Sequence, residues 1–87
     1  MVERTLTIEN QLGLHLRAAG IFVTEAGRFR SEIWVMKDGI EVNGKSILGL
    51  ASLAAARGSA IRIRVRGKDE VEALETLSAL VVNKFNE

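Results

Sequence analysis

The first eight residues alternate between the two sides of an extended chain. One side carries Val2, Arg4, Leu6 and Ile8, and the other carries Glu3, Thr5 and Thr7. This period of two predicts an edge or half-buried β-strand that ends at the turn signal Glu9-Asn10.

A helical period follows between Leu16 and Ala26. The apolar positions that recur at this spacing are Leu16, Ala19, Phe22, Val23 and Ala26. They predict an amphipathic helix with one face toward a core. Gly27 comes directly after it, where we expect a glycine in the left-handed conformation to end the helix.

The pair Asp38-Gly39 separates two short segments of strand-forming residues, Glu32 to Lys37 and Ile40 to Val42. A two-residue connection of this composition favours a type I′ turn, in which both central residues have positive φ. The pattern therefore predicts a β-hairpin.

A short second helix is predicted after the hairpin, which Asn43-Gly44 closes. Ser46 is a suitable N-cap because its hydroxyl can accept a hydrogen bond from a backbone N–H of the first turn. We expect the helix to run from Ile47 to Ala55, although Gly49 costs about 1 kcal/mol relative to alanine.

The segment after Gly58 alternates strictly, which predicts a strand with one buried and one solvent-facing side. Its inward residues are Ile61, Ile63 and Val65, and its outward residues are Arg62, Arg64 and Arg66. A last helix is expected to begin at Asp69, with Glu72 completing an acidic variant of the capping box. Its predicted apolar stripe consists of Val71, Leu74, Leu77, Ser78, Val81 and Phe85.

The predicted order of elements is βαββαβα. Hairpin-linked strands with interspersed helices favour one antiparallel sheet with all three helices on one face, an α+β fold of two layers. The length of 87 residues is that of one small domain, so we expect residues 1–87 to form a single unit with one core.

Composition excludes several classes of function. The chain has no cysteine and one histidine, which rules out thiolate catalysis, Cys-based metal sites and a multi-His metal site within one chain. Its net charge of +1 gives no general argument for nucleic-acid or membrane binding. The apolar run from Ile47 to Ala56 is too short to span a bilayer, and the first residues lack the pattern of a secretory signal. The expected location is cytoplasmic.

His15 lies at the expected start of the first helix, with Arg17 two residues later. Backbone N–H groups of a first helical turn lack intrahelical partners and attract anions. The neutral form of a histidine side chain is a nucleophile, and a neighbouring arginine can bind phosphate oxygens. The simpler interpretation, favoured by this local context alone, is that His15 caps the helix and that Arg17 is a solvated charge.

Two longer segments resemble the histidine-containing phosphocarrier (HPr) family of the bacterial phosphotransferase system. They are GLHLRAA from Gly13 to Ala19 with the helix after it, and VNGKSILGLASLAAARGSAIRI from Val42 to Ile63. The resemblance spans nearly the whole chain and implies the HPr-like open-faced sandwich, a four-stranded antiparallel sheet covered by three helices.

The resemblance also implies a function. In this family His15 would accept a phosphoryl group on Nδ1 from phosphorylated Enzyme I, supplied by phosphoenolpyruvate, and pass it to an EIIA-type component for sugar uptake or its regulation. Arg17 would bind the phosphoryl oxygens. Such a protein is a covalent carrier rather than a stand-alone enzyme, and it needs no metal or organic cofactor. One docking face used in turn by successive partners favours a monomer.

Further site residues follow from the same resemblance. Ser46 matches the serine that an ATP-dependent kinase phosphorylates in many members of the family. A phosphorylase removes the phosphate. A partner-docking face would include Gly20, Ile47, Leu48 and Ala51, with Arg17 at its edge. The sequence departs from the family pattern at Leu16, where alanine is usual, and at Ala18, where proline is usual.

Other functions compete with this interpretation. The outward arginines of the fourth strand, together with Arg4, would suit an RNA-binding sheet face, but the chain has few aromatic residues for base stacking. A regulatory module that moves no phosphate is compatible with the fold. A carrier in a nitrogen-related phosphorelay would use the same imidazole chemistry.

Overall fold

The computed structural model describes all 87 residues and has the predicted order of elements. The strands are β1 (Val2–Thr7), β2 (Glu32–Lys37), β3 (Ile40–Asn43) and β4 (Ala60–Arg66). The helices are α1 (Leu16–Ala26), α2 (Ile47–Ser52) and α3 (Glu70–Val82), followed by a single 3-10 turn at Lys84–Asn86. The four strands form one sheet in the order β1-β4-β2-β3, and every neighbouring pair is antiparallel.

The core lies between one face of this sheet and the helices. Alternate residues of the two central strands are buried, namely Ile33, Val35, Ile61, Ile63 and Val65. Buried helix residues in the same cluster include Ala19, Phe22, Leu50, Leu77 and Val81. The predicted α+β fold of two layers is therefore confirmed, and the burial pattern of β4 alternates as its sequence indicates.

The turns on either side of β3 have the conformations that the sequence predicts. Asp38 has φ of 52° and Gly39 has φ of 80°, the positive values that a type I′ hairpin requires. Ser46 Oγ accepts a hydrogen bond of 3.0 Å from the N–H of Gly49, so Ser46 is the N-cap of α2.

Helix α1 ends at Ala26 as expected, but the predicted left-handed conformation of Gly27 and the predicted end of α2 are wrong. Gly27 has φ of −65°, so it is not left-handed, and its N–H still donates to the Val23 carbonyl as in a helix. Helix α2 ends at Ser52 rather than at Ala55. The N–H of Ala54 bonds to the Ala51 carbonyl, only three residues back, and Ala54 itself has φ of 49°, which stops the helix.

The predicted capping box of α3 is also wrong. Asp69 occupies the N-cap position, but its side chain makes no capping hydrogen bond. Its carboxylate instead accepts hydrogen bonds from the N–H of Arg30 at 2.9 Å, from the N–H of Ser31 at 3.0 Å and from the Ser31 hydroxyl. Asp69 thus ties the start of α3 to the segment before β2.

Val71 does not belong to the apolar stripe of α3, because 63% of it is exposed. The other predicted positions of the stripe are buried, although Phe85 lies in the 3-10 turn rather than in the helix. Ala73 and Leu80 complete the buried side of α3.

The outer face of the sheet carries paired charges. Arg64 Nε donates to Glu3 at 3.0 Å, and Arg66 donates to Glu32 while its guanidinium lies 5.5 Å from the ring centroid of Trp34. Arg4 does not contribute to this face, because it bonds to Glu75 of α3 on the helix side. The arginines of β4 are therefore largely balanced by neighbouring carboxylates.

The acid stability of the protein should depend on Asp69. The hydroxyl of Ser31, followed by the N–H of Arg30, lowers the pKa of the Asp69 carboxyl. A carboxyl with a lowered folded-state pKa stabilises the fold above its unfolded-state pKa, and this contribution is lost as the pH falls through the folded-state value. We expect Asp69→Asn to reduce the free energy of unfolding at neutral pH, with a smaller difference from the wild type in acid.

Urea unfolding at several pH values measures this difference. Asp38→Asn is the matched control, because it changes the only other aspartate, which contacts Lys37 at an exposed turn. Glu70, whose pKa is lowered by the N–H of Gly67, is present in every variant and contributes equally to each curve. A difference between wild type and Asp69→Asn that stays constant from neutral pH to below pH ~3 would contradict the assignment.

Candidate functional site

His15 is the residue immediately before helix α1, with an extended backbone at φ −75° and ψ 176°. Its side chain makes no capping hydrogen bond and is 29% exposed. His15 is therefore the N-cap residue of α1 by position, but its imidazole makes no hydrogen bond that caps the helix.

The first turn of α1 presents backbone N–H groups beside His15. The first intrahelical hydrogen bond runs from the N–H of Ala19 to the carbonyl of His15, at 2.8 Å. The N–H groups of residues 16–18 precede it, so they have no acceptor within the helix. Together with the positive end of the helix dipole, they can bind an anion attached to His15.

The loop before His15 is held against the segment that precedes β4. Gly13 has φ of 67°, and a Cβ at this position would collide with the carbonyl oxygen of Ala55. The N–H of Leu14 donates to that same carbonyl at 2.8 Å. Glycine is therefore required at position 13 both for its backbone conformation and for close approach.

His15 and Arg17 line one pocket of about 230 Å³, and residues 85–87 line the same pocket. The lining residues are Leu12, His15, Arg17, Ala18, Ile21, Phe85, Asn86 and Glu87. None of the nine ion pairs in the structure involves Arg17, which is an exposed residue. The two predicted residues thus line the same pocket.

Sequence reasoning missed two members of this site, Asn10 and Glu87. Glu87 Oε2 lies 3.7 Å from Nε2 of His15 and accepts a hydrogen bond of 3.1 Å from Asn10 Nδ2. Asn10 is fully buried and also donates to the carbonyl of Gly13 at 2.6 Å. The turn signal at Asn10 gave no indication of this contact, since Glu87 is distant along the chain.

The remaining predicted site residues lie on α1 and α2, which pack against each other. Leu48 is 79% exposed and Ile47 is 40% exposed, while Gly20 and Ala51 are half-buried. Ser46 is half-buried at the start of α2, where its hydroxyl acts as the N-cap.

The two departures from the family pattern have different environments. Leu16 is 63% exposed and so adds an apolar side chain to the surface next to His15. Ala18 is buried and provides a backbone N–H that a proline at this position would lack.

No group of three or more His, Cys, Asp or Glu side chains is arranged to hold a metal ion. None of the helices has the length and apolar character needed to cross a membrane.

Comparison with known proteins identifies the family of the chain. The family model described as "PTS HPr component phosphorylation site" matches residues 2–83. The phosphocarrier protein HPr of Neisseria meningitidis is 46% identical over 87 residues, covering 100% of this chain and 98% of the relative. The crystal structure of HPr-C-His from Thermoanaerobacter tengcongensis superposes with a TM-score of 0.96 at 45% identity, covering 100% of this chain and 98% of the other.

A further similar structure is that of Crh, the Bacillus subtilis catabolite repression protein, described as a dimer with a swapped domain. It has a TM-score of 0.78 and 44% identity, and the match covers 97% of each chain. The match of the family model to residues 2–83 and the 46% identity over the full length of the chain show its family. The chain belongs to the HPr family of phosphocarrier proteins of the phosphotransferase system.

Proposed function

We propose that His15 carries a phosphoryl group between two partner proteins. It accepts the group on Nδ1 from phosphorylated Enzyme I, which phosphoenolpyruvate supplies, and passes it to an EIIA-type component for sugar uptake or its regulation. One observation supports this most directly. The imidazole of His15, which makes no capping hydrogen bond, lies beside the free N–H groups of residues 16–18 and lines the same pocket as Arg17.

The transfer requires alignment and charge stabilisation more than covalent chemistry by other residues. The lone pair of His15 Nδ1 attacks phosphorus, and the bond from phosphorus to the donor breaks with its electron pair staying on the donor. Arg17 and the N–H groups of the first helical turn neutralise the phosphoryl oxygens. The reverse sequence delivers the group to the acceptor, so the protein is a carrier and not a stand-alone enzyme.

This chemistry needs no metal or organic cofactor on the chain itself. We propose that residues 1–87 act in the cytoplasm as a single domain, without binding a membrane or nucleic acid. A monomer suits a protein that presents His15 to one partner after another, whereas the similar Crh structure is described as a dimer. Sedimentation of the purified protein distinguishes the two states.

We propose that partners dock on the surface formed by Gly20, Ile47, Leu48 and Ala51. The exposed side chains of Ile47 and Leu48 lie on α2, which packs against the helix that begins at His15. Exposed apolar side chains next to a charged reacting group suit a transient complex that forms and separates quickly.

Ser46 is proposed as a regulatory phosphorylation site for a serine kinase, with a phosphorylase reversing the modification. Its hydroxyl directly precedes Ile47 and Leu48 in the chain. A phosphate there would add a charge of about −1.5 to −2 to the docking surface and would oppose a second phosphoryl transfer. Incubation with the kinase and ATP tests the modification, and a protein left unmodified would exclude it.

The alternative functions would use different partners or different parts of the protein. A nitrogen-related phosphorelay would use the same imidazole but a different donor and acceptor. A regulatory module, suggested by the similarity to Crh, would bind partners without needing His15. RNA binding by the outer sheet face is disfavoured because Glu3 and Glu32 pair with the arginines of β4.

The carrier function is tested by incubating the protein with phosphoenolpyruvate, Mg²⁺ and the cognate Enzyme I. We expect one acid-labile phosphoryl group by intact mass on the wild type, since phosphohistidine is acid-labile and serine phosphate is not. We expect complete loss of the adduct in His15→Ala, because the nucleophile is gone. Ser46→Ala is the control and should retain it.

An adduct that survives in His15→Ala would contradict the proposed site. No adduct on the wild type with an Enzyme I that phosphorylates another HPr would contradict the carrier function and favour the regulatory module.

The docking surface is tested by adding a negative charge at matched exposed positions. We expect Leu48→Glu to raise the KM for phosphorylated Enzyme I about tenfold, equivalent to about 1.4 kcal/mol of binding free energy. Ser46→Asp should act in the same direction. Val71→Glu, at a 63% exposed position on α3, should leave KM unchanged. Equal effects of Leu48→Glu and Val71→Glu would show that net charge, and not this surface, controls the encounter.

A further inference from the structure

Residues 10–13 form a tight turn ahead of His15, and Asn10 closes this turn with both its backbone and its side chain. The N–H of Gly13 donates to the carbonyl of Asn10 at 3.1 Å, and Nδ2 of Asn10 donates to the carbonyl of Gly13 at 2.6 Å. Asn10 is fully buried, so bulk water does not compete for the side-chain bond. Both backbone polar groups of Gly13 are therefore held by the same residue.

The peptide group between Gly13 and Leu14 is held at both of its polar ends. Its carbonyl accepts the hydrogen bond from Asn10 Nδ2, and its N–H donates to the carbonyl of Ala55 at 2.8 Å. In a trans peptide group the carbonyl and the N–H point in opposite directions, so rotation of the group would break both bonds. The direction in which the chain enters His15 is therefore fixed.

The glycine at position 13 makes such a restraint necessary. Gly13 has φ of 67°, and a Cβ there would collide with the Ala55 carbonyl oxygen, so only glycine fits. Glycine has the widest conformational freedom of all residues, and a chain that contains it is loose unless other groups hold it. The side chain of Asn10 supplies the contact that residue 13 cannot make for itself.

Asn10 is poorly suited to stabilise the fold by its hydrogen bonds alone. Its Oδ1 is buried and has no hydrogen-bond partner in the protein. Exchanging the oxygen and the nitrogen would not improve the arrangement, because an acceptor would then face the Gly13 carbonyl, which is itself an acceptor. A buried acceptor without a partner costs free energy, and a fold that keeps one calls for a reason other than stability.

We propose that Asn10 is a positioning residue for phosphoryl transfer, which holds the imidazole of His15 in line for attack by fixing the peptide group between Gly13 and Leu14. This inference rests on the proposed carrier function and adds Asn10 to it. In the transfer step the lone pair of Nδ1 forms the bond to phosphorus, and the donor keeps the electron pair of the bond that breaks. The two bonds must lie roughly in line.

The burial of Asn10 determines which kinetic constant should change. Because Asn10 is fully buried, a docked partner does not contact it. Its loss should therefore leave the affinity for the partner unchanged. It should slow the transfer itself, since a displacement of the reacting atoms by about 1 Å can reduce the rate of a reaction by about 100-fold.

The kinetic test compares Asn10→Ala with Ser31→Ala. Ser31 is a second buried polar residue that holds a loop, through the Asp69 carboxylate, and it does not line the pocket of His15. Transfer from phosphorylated Enzyme I is measured at a temperature where every variant is folded. We expect Asn10→Ala to lower the maximal rate about tenfold without changing the half-saturating concentration. Ser31→Ala should keep both wild-type values.

Hydrogen exchange measures the restraint itself. In the wild type the N–H of Leu14 should be protected like the amides of the central strands, although it lies in a loop, because its peptide group is held at both ends. Asn10→Ala should remove this protection selectively. Glu87→Ala is the control, because it removes the other acceptor of Asn10 Nδ2, at 3.1 Å, and leaves the bond to Gly13 in place. It should leave the exchange of Leu14 unchanged.

Several outcomes would overturn the role of Asn10 while leaving the carrier function intact. One is transfer to Asn10→Ala at the wild-type rate, and another is an equal loss of rate in Ser31→Ala, which would trace the effect to general destabilisation. If Asn10→Ala does not fold, rapid exchange of the Leu14 N–H in the wild type would overturn the proposal, and slow exchange would support it. A wild type that takes up no phosphoryl group would overturn the carrier function and this role with it.

Discussion

The contact between the loop that precedes α1 and the segment that precedes β4 fixes where His15 stands. The N–H of Leu14 bonds to the Ala55 carbonyl, and the backbone of Gly13 approaches the same carbonyl so closely that no side chain fits. Ile8 adds two hydrogen bonds to the same segment, one to the Ser59 carbonyl and one from the N–H of Gly58. Since α1 begins immediately after this clamped loop, the position of the imidazole and the direction of the first N–H groups both depend on it.

The two-layer architecture assigns different roles to the two faces of the sheet. The helix side carries the core, the site at the start of α1 and the exposed apolar residues of α2. The outer side is covered by paired charges, in which Arg64 bonds to Glu3 and Arg66 bonds to Glu32. Exposed pairs of this kind contribute little to stability, but they leave the outer face with little net charge to attract a polyanion. His15 and Arg17 thus lie in the helix layer, away from the paired charges of the outer face.

The parts of the fold that the sequence predicts are those set by neighbours in the chain. The Asp38-Gly39 turn, the Ser46 cap and the alternation of β4 each depend on a few consecutive residues, and the structure has all three. Predictions fail where a residue distant in the sequence forms the hydrogen bond that a neighbour was expected to form. Asp69 accepts hydrogen bonds from Ser31 instead of capping its own helix. At the site, His15 and Arg17 were found from their place before a helix and from family resemblance. Asn10 and Glu87 were not, because their contact joins opposite ends of the sequence.

The central claim is that the free N–H groups at the start of α1 hold the phosphoryl group of His15. The most direct measurement is a comparison of ¹H–¹⁵N spectra of the protein before and after phosphorylation. We predict that the amide protons of residues 16–18 move downfield more than any others, because each can donate to a phosphoryl oxygen. The amides of the edge strands β1 and β3 should not move. A phosphorylated protein in which these amides keep their positions would contradict the account, since the charge would then be held by other groups.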